Sequence, residues 1–409
     1  RLWNLNDGSS KVLKGHTGQL LKNSVLKIDN NSIISFALDN TLRIWNLKDG
    51  SSKVFKGHSD EINGVQMIGK YKFISWSEDK TLRFWNLKDG SSKVFKGHTD
   101  AVKGVHLFED NQALSWSDDK ALILWNLQGG SFKVFKGHTD TVKGVHLIGD
   151  NNALSWSSDK TLRFWNLKDG SSNVFKGHTD TVRGVYLLED NQALSWSDDM
   201  ALRLWNLKDG SSKAFEGHTS FIFGCQIISN TKALSWSVDC TLRLWNLNDG
   251  SSKVFRGHTS FVSGAYILEN NKMLSWSNDK TLRLWNISLS SNSRMNHSGR
   301  INGVHFFGNN NILSWSNDST IRLWNLSEDM SKVKVLKGHK NGIETLYLLE
   351  NNIVVSNSGY EKNFRVWNLN DKSSKVFDGH KSIVNGINLL GNNMVISWSY
   401  DKTLRIWDL

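Results

Sequence analysis

The sequence contains no proline. Every reversal of the chain must therefore be made by glycine, asparagine, aspartate and serine, whose local chemistry is the other route to a turn. Cysteine is almost missing as well, with Cys225 and Cys240 the only two. Two thiols cannot make a disulfide framework, and such sparse use points to a reducing compartment, so a cytoplasmic protein is expected. No apolar run is long enough to cross a bilayer as a helix and no signal-peptide pattern is visible, so no membrane partner is expected. Nor is there a Walker, dinucleotide-binding or zinc-ligand spacing, and the expectation is no cofactor and no metal. The chain opens on Arg1, inside a repeated motif, so it is expected to be a piece of a longer protein.

Against these absences stand 33 glycines, 19 tryptophans and a formal charge of +11 from 50 Lys plus Arg and 39 Asp plus Glu. Basic chains bind nucleic acid or anionic surfaces through clustered charge. Here the lysines recur in each "KDGSSKVFKGH" segment and do not gather in one run, which reads as an evenly solvated rim.

The stretch "ALSWSSDKTLRFW", residues 153–165, holds serines and an aspartate, and His138 precedes it in "KGHTD". Serine, histidine and aspartate together raise the question of a hydrolase. The period answers it. "WN" or "WD" recurs at Trp3, Trp45, Trp85, Trp125, Trp165, Trp205, Trp245, Trp285, Trp324, Trp367 and Trp407, at steps of 39 to 43 residues. A histidine keeps the same step from His16 to His380. An enzyme needs one such set, whereas a set in every unit is architecture.

Each unit reads as four short strands, of the kind "SKVFKG", "TVKGVHLI", "NALSWS" and "TLRFWNL". They are rich in Val, Leu, Phe and Trp and bounded by Gly, Asn and Asp clusters, with Asp-Gly turns between units. One such sheet cannot bury both faces, but stacked sheets bury one another, which gives a propeller. The Gly-His, S-W-S-x-D and W-N/D signatures at this period resemble the WD-repeat (WD40) family over the whole chain. The expected fold class is all-β, a β-propeller built from ten four-stranded WD-type repeats spanning 1–409. A single ten-bladed ring is favoured over a seven- or eight-bladed ring with leftover repeats. The second to seventh units are nearly identical and the last three drift, so a seam is expected near 290, between regular repeats (1–290) and divergent ones (291–409). Closure would place "SKVLKG" on the last blade, and residues 1–5 then duplicate 405–409.

The resemblance implies a buried polar quartet in each blade: His98, Ser115, Asp119 and Trp125; His138, Ser155, Asp159 and Trp165; His178, Ser195, Asp199 and Trp205. The aspartate accepts from the imidazole, which meets the serine hydroxyl, which accepts the indole N–H. On this reading the serine is consumed by structure and no catalytic residue is assigned. The ninth unit has an extra turn residue and Glu361 in place of aspartate, so its quartet is expected to fail and its blade to be the loosest. The family usually has a small residue between the two serines, but here stand Trp76, Trp116, Trp156, Trp196, Trp236, Trp276, Trp315 and Trp398. These rings are expected to pack between blades and, as bulk near the axis, to favour more than seven blades.

The family resemblance implies a non-catalytic protein-interaction scaffold or sensor module, part of a larger signalling protein. Binding positions would follow Gly-His and precede the turn aspartate. There Phe221, Phe223, Val238 and Phe261 form a candidate apolar patch, and Lys103, Lys143 and Arg183 a basic arc suited to a protein or peptide partner with acidic segments. Nucleic-acid or anionic-surface binding through net charge, and a propeller enzyme, are the alternatives. His106, His146 and His305 share one strand position on separate blades, which holds them too far apart for a metal.

Overall fold

The computed structural model describes residues 10–108, 111–189, 191–269, 271–288, 292–307, 310–326, 333–349, 352–391 and 394–409. These form ten four-stranded antiparallel sheets and no α-helix among the described residues. The fold is all-β, a ten-bladed β-propeller, and every sequence unit supplies a blade, with none left over.

Blade 4 shows how the sequence makes a sheet. Its strands run Val142–Ile148, Asn152–Ser157, Leu162–Asn166 and Ser172–Phe175, each paired with the next. The second strand alternates, so that Ala153 and Ser155 meet Trp165 and Arg163 across the pair. Proline-free reversal rests on side-chain oxygens: Asn166 Oδ1 accepts from Lys168 N (2.9 Å) and Asp169 Oδ1 from Ser171 N (2.7 Å). Gly170 closes that turn at φ 90°, a left-handed conformation that costs other residues a steric clash.

The fourth strand of each sheet comes from the start of the next sequence unit. Blade 10 has no following unit, and its fourth strand is the N-terminal Ser10–Lys14, paired Ser10 to Trp407 and Lys14 to Thr403. The 405–409 copy of the duplicated segment therefore occupies the sheet, while Trp3 and the rest of 1–5 lie outside the described residues.

The chain divides into two compact units. Residues 63–294 carry blades 2 to 7, and residues 1–62 with 295–409 carry blades 1 and 8 to 10. Within the first, the apolar core lies between successive sheets. Leu114 and Leu122 of blade 3 pack with Val142, Val145, Ala153 and Trp165 of blade 4, and Trp116 closes the cluster. Each such indole also covers a glycine on the first strand of its own blade, as Trp116 covers Gly104 and Trp156 covers Gly144. The recurring lysines are not merely solvated: Lys93, Lys213 and Lys253 donate to Gln128 O, Asn248 O and Ser288 O of the following blade at 2.6–2.7 Å.

Candidate functional site

In blade 4 the imidazole of His138 has Asp159 Oδ2 at 2.7 Å from Nδ1 and Ser155 Oγ at 2.7 Å from Nε2. A carboxylate requires a proton on Nδ1, which leaves Nε2 to accept the serine O–H. The serine oxygen in turn accepts Trp165 Nε1–H at 2.8 Å. Every donor then has an acceptor, the condition under which buried polar groups stiffen a fold. Thr161 Oγ1 and Thr139 N donate to the same aspartate at 2.6 and 2.9 Å. Burial opposes the Asp159 carboxylate, but His138 and Thr161 outweigh it and hold its pKa well below the usual range.

The same chain of contacts links His98, Ser115, Asp119 and Trp125, and His178, Ser195, Asp199 and Trp205. It recurs in blades 1, 6, 7, 8 and 10. Ser115, Ser155 and Ser195 are wholly buried, so none meets solvent as a nucleophile must. Blade 9 corrects the expectation of a failed quartet. Glu361 lies 3.1 Å from His339, Ser356 takes the other imidazole nitrogen at 2.9 Å, and Trp367 donates to Ser356 at 2.7 Å. The longer acid, in a turn with one more residue, returns the carboxylate to the imidazole. It also accepts Lys340 N and Asn341 N at 2.7 and 2.9 Å.

The end of each blade that carries the Gly-His loop is where near-identical units diverge. Two registers face each other there, one on the first strand and one just before the turn aspartate. In blade 5 they hold Arg183 and Asp198, joined by Nε at 2.9 Å and Nη2 at 2.6 Å. The bond to Asp198 raises the Arg183 pKa. In blade 3 they hold Lys103 and Asp118 at 3.2 Å, and Lys103 also meets Glu78 of blade 2 at 2.7 Å. Burial disfavours the Lys103 ammonium, yet the two carboxylates outweigh it and raise its pKa. In blade 4 the pair is Lys143 and Ser158, and Lys143 is exposed without an ion pair among the described residues. The basic arc read from sequence thus contains one unneutralised cation, because its other two members are paired with acids.

In blade 6 the same registers are Phe223 and Val238, 54% and 37% exposed. Phe223 stacks on Phe261 of blade 7 with centroids 5.9 Å apart. Phe221, 49% exposed, is tied to Val238 by a 3.0 Å backbone bond from Val238 N to its carbonyl. The structure therefore brings Phe221, Phe223, Val238 and Phe261 into one apolar patch on blades 6 and 7. Sequence reading missed Met200, exposed on the blade 5 turn where blades 2, 3, 4 and 7 have Lys80, Lys120, Lys160 and Lys280. The signal was present as "SDDM" against "SSDK". Cys240 holds that register in blade 6, and both cysteines are free thiols. His106 and His146 each bond the next blade, at Val145 O and Val185 O (2.8 Å), and His305 lies on blade 8.

The family model described as "WD domain, G-beta repeat" matches residues 50–86, 129–166, 250–286, 290–325 and 371–408. No match was found among curated protein sequences. Similar solved structures include the computationally designed Ika8 protein, 22% identical over 87% of this chain and 98% of that one, TM-score 0.49. Another is the WD40 β-propeller domain of Doa1, 24% identical over 66% of this chain and 94% of that one, TM-score 0.39.

Proposed function

Because this chain belongs to the WD-repeat family, whose propellers generally serve as protein-interaction scaffolds, we propose that it is a non-catalytic docking platform. Its contact surface is the Phe221, Phe223, Val238 and Phe261 patch, and its partner is a peptide or protein segment. The observation that carries this reading is that Phe223, 54% exposed and stacked on the half-buried Phe261, stands at a register that holds Asn63, Lys103, Lys143 and Arg183 in blades 2 to 5. Exposed aromatic groups on a rigid frame bury large area at low entropic cost, which is what binding hot spots require. Among the described residues the lysines are dispersed, and Lys93, Lys213 and Lys253 are spent on backbone carbonyls, which favours this patch over a charged face. The near-identical units further support a role as the recognition part of a larger signalling protein.

The test is affinity selection of a displayed random-peptide library on the whole chain. Selected peptides should lose at least about tenfold in affinity, the loss expected at a hot spot, on a Phe223→Ser/Phe261→Ser variant. They should keep their affinity on Val174→Ser, which alters an exposed valine on another strand. Equal binding to all three proteins would remove the patch as the contact surface.

A further inference from the structure

The partner's chemistry follows from the two registers beside the patch. We propose that the segment docked there is an acidic-apolar peptide, with an apolar side chain on Phe223 and Phe261 and a carboxylate on Lys143; this rests on the docking reading above. Across blades 2, 3 and 5 the facing registers satisfy themselves. Asn63 Nδ2 donates to Glu78 at 2.9 Å, Lys103 is shared by Glu78 and Asp118, and Arg183 is held through two nitrogens by Asp198. Blade 4 breaks the rule. Ser158 stands at the acid's register, carries no charge, and leaves the Lys143 ammonium exposed.

From the aromatic patch, one blade in the chain order of this unit leads to the neutralised Arg183–Asp198 pair, and the next leads to a bare positive charge. A segment laid along that path meets apolar surface, then a closed ion pair, then an unpaired cation. A carboxylate at the last point gains an attraction that no described side chain of this unit supplies, and a basic residue there is repelled. Complementarity of this kind selects partners more than it strengthens binding.

The experiment is the same library selection run in parallel on the whole chain and on Lys143→Glu, with thermal melting to show that the variant folds. On the unaltered chain, selected peptides should carry Asp or Glu at a constant spacing from an aromatic or aliphatic residue. On Lys143→Glu that position should become Lys or Arg. A peptide from the first selection should bind Lys143→Glu about fivefold more weakly, the scale of an exposed ion pair, and should recover when its acid is changed to lysine. Peptides that depend on Phe223 and Phe261 but show no acidic preference overturn this inference and leave the docking surface standing. Peptides indifferent to both sets of substitutions, or no selected peptides at all, overturn both. A single-stranded oligonucleotide probe whose binding is abolished by Lys143→Glu and unchanged by Phe223→Ser/Phe261→Ser would also overturn it.

Discussion

Trp116 lies so close over Gly104 that a Cβ on the glycine would stand 2.0 Å from the indole Cζ2. The two residues face each other across paired strands, and the ring reaches on into the core between blades 3 and 4. Bulk at one position is therefore matched by absence at the other. Gly104→Ala has to displace a ring packed by its neighbours, and overpacking of this sort costs about 1–3 kcal/mol. Gly129→Ala is the control, since the nearest atom to its Cβ would be Asn126 at an ordinary 3.5 Å. Thermal melting should show a clear loss for the first and almost none for the second. Equal melting temperatures would mean that the ring moves freely.

Stability should fall on acidification in two stages. Burial lowers the pKa of His258, His297 and His339 below the ordinary 6.5, more than their carboxylate partners raise it. The unfolded chain then binds protons first, so this contribution is complete above about 6.5 and is lost as pH falls through the lower folded values. For Asp279 and Asp318 burial would raise the pKa, but hydrogen bonds from the imidazole, threonine and backbone prevail and lower it below 3.8. That second contribution is lost only at lower pH. The urea midpoint should decline from near neutrality downward, and His297→Gln should shrink the upper stage and, because Asp318 loses its imidazole donor, part of the lower one. A midpoint that rises on acidification would contradict the neutral-imidazole quartet.

Blade 9 keeps its quartet by pairing a longer acid with a longer turn, so shortening only the acid should break it. In Glu361→Asp the carboxylate falls short of His339 and of the Lys340 and Asn341 amides. Leaving the buried His339 donor unpaired costs about 1–3 kcal/mol. Deleting one residue of that turn in the same protein restores the spacing of the other blades and should recover most of the loss. Chemical denaturation of the two variants checks this, and no difference between them would count against spacing as the cause.

That compensation marks where reading a sequence stops. The step of about forty residues, the four strands and the closing strand at Ser10–Lys14 are legible because each repeats local chemistry: an Asp-Gly turn, an alternating strand, a Gly-His pair. Glu361 misled because a one-residue insertion and a one-methylene extension each look like damage and cancel only in space. The pairing of Lys103 with Glu78 was hidden for a related reason. Its acid belongs to the preceding blade, and sheet stacking, not sequence distance, brings them within 2.7 Å. Lys143 and Arg183 read alike as cations; what separates them is the Ser158 or Asp198 facing each across the sheet.

Blade 3 carries a paired exchange that should show as energetic coupling. In blades 1, 2, 4, 5, 6, 9 and 10 an arginine lies over the quartet tryptophan and bonds a serine of the fourth strand: in blade 4, Arg163 Cζ is 5.6 Å from the Trp165 centroid and Nη1 is 3.1 Å from Ser172 Oγ. Blade 3 has Ile123 and Phe132 at those two places, with Phe132 5.0 Å from Trp125. Ile123→Arg alone loses the buried isoleucine and points a guanidinium at a phenyl ring. Phe132→Ser alone uncovers Trp125 and gives Ile123 a hydroxyl it cannot use. Together they rebuild the arrangement of blade 4, so the double variant should be more stable than the two losses added, by about 1 kcal/mol. Urea denaturation of the four proteins measures this directly. Strict additivity would mean that the two positions changed independently and that the apolar pair is not a unit.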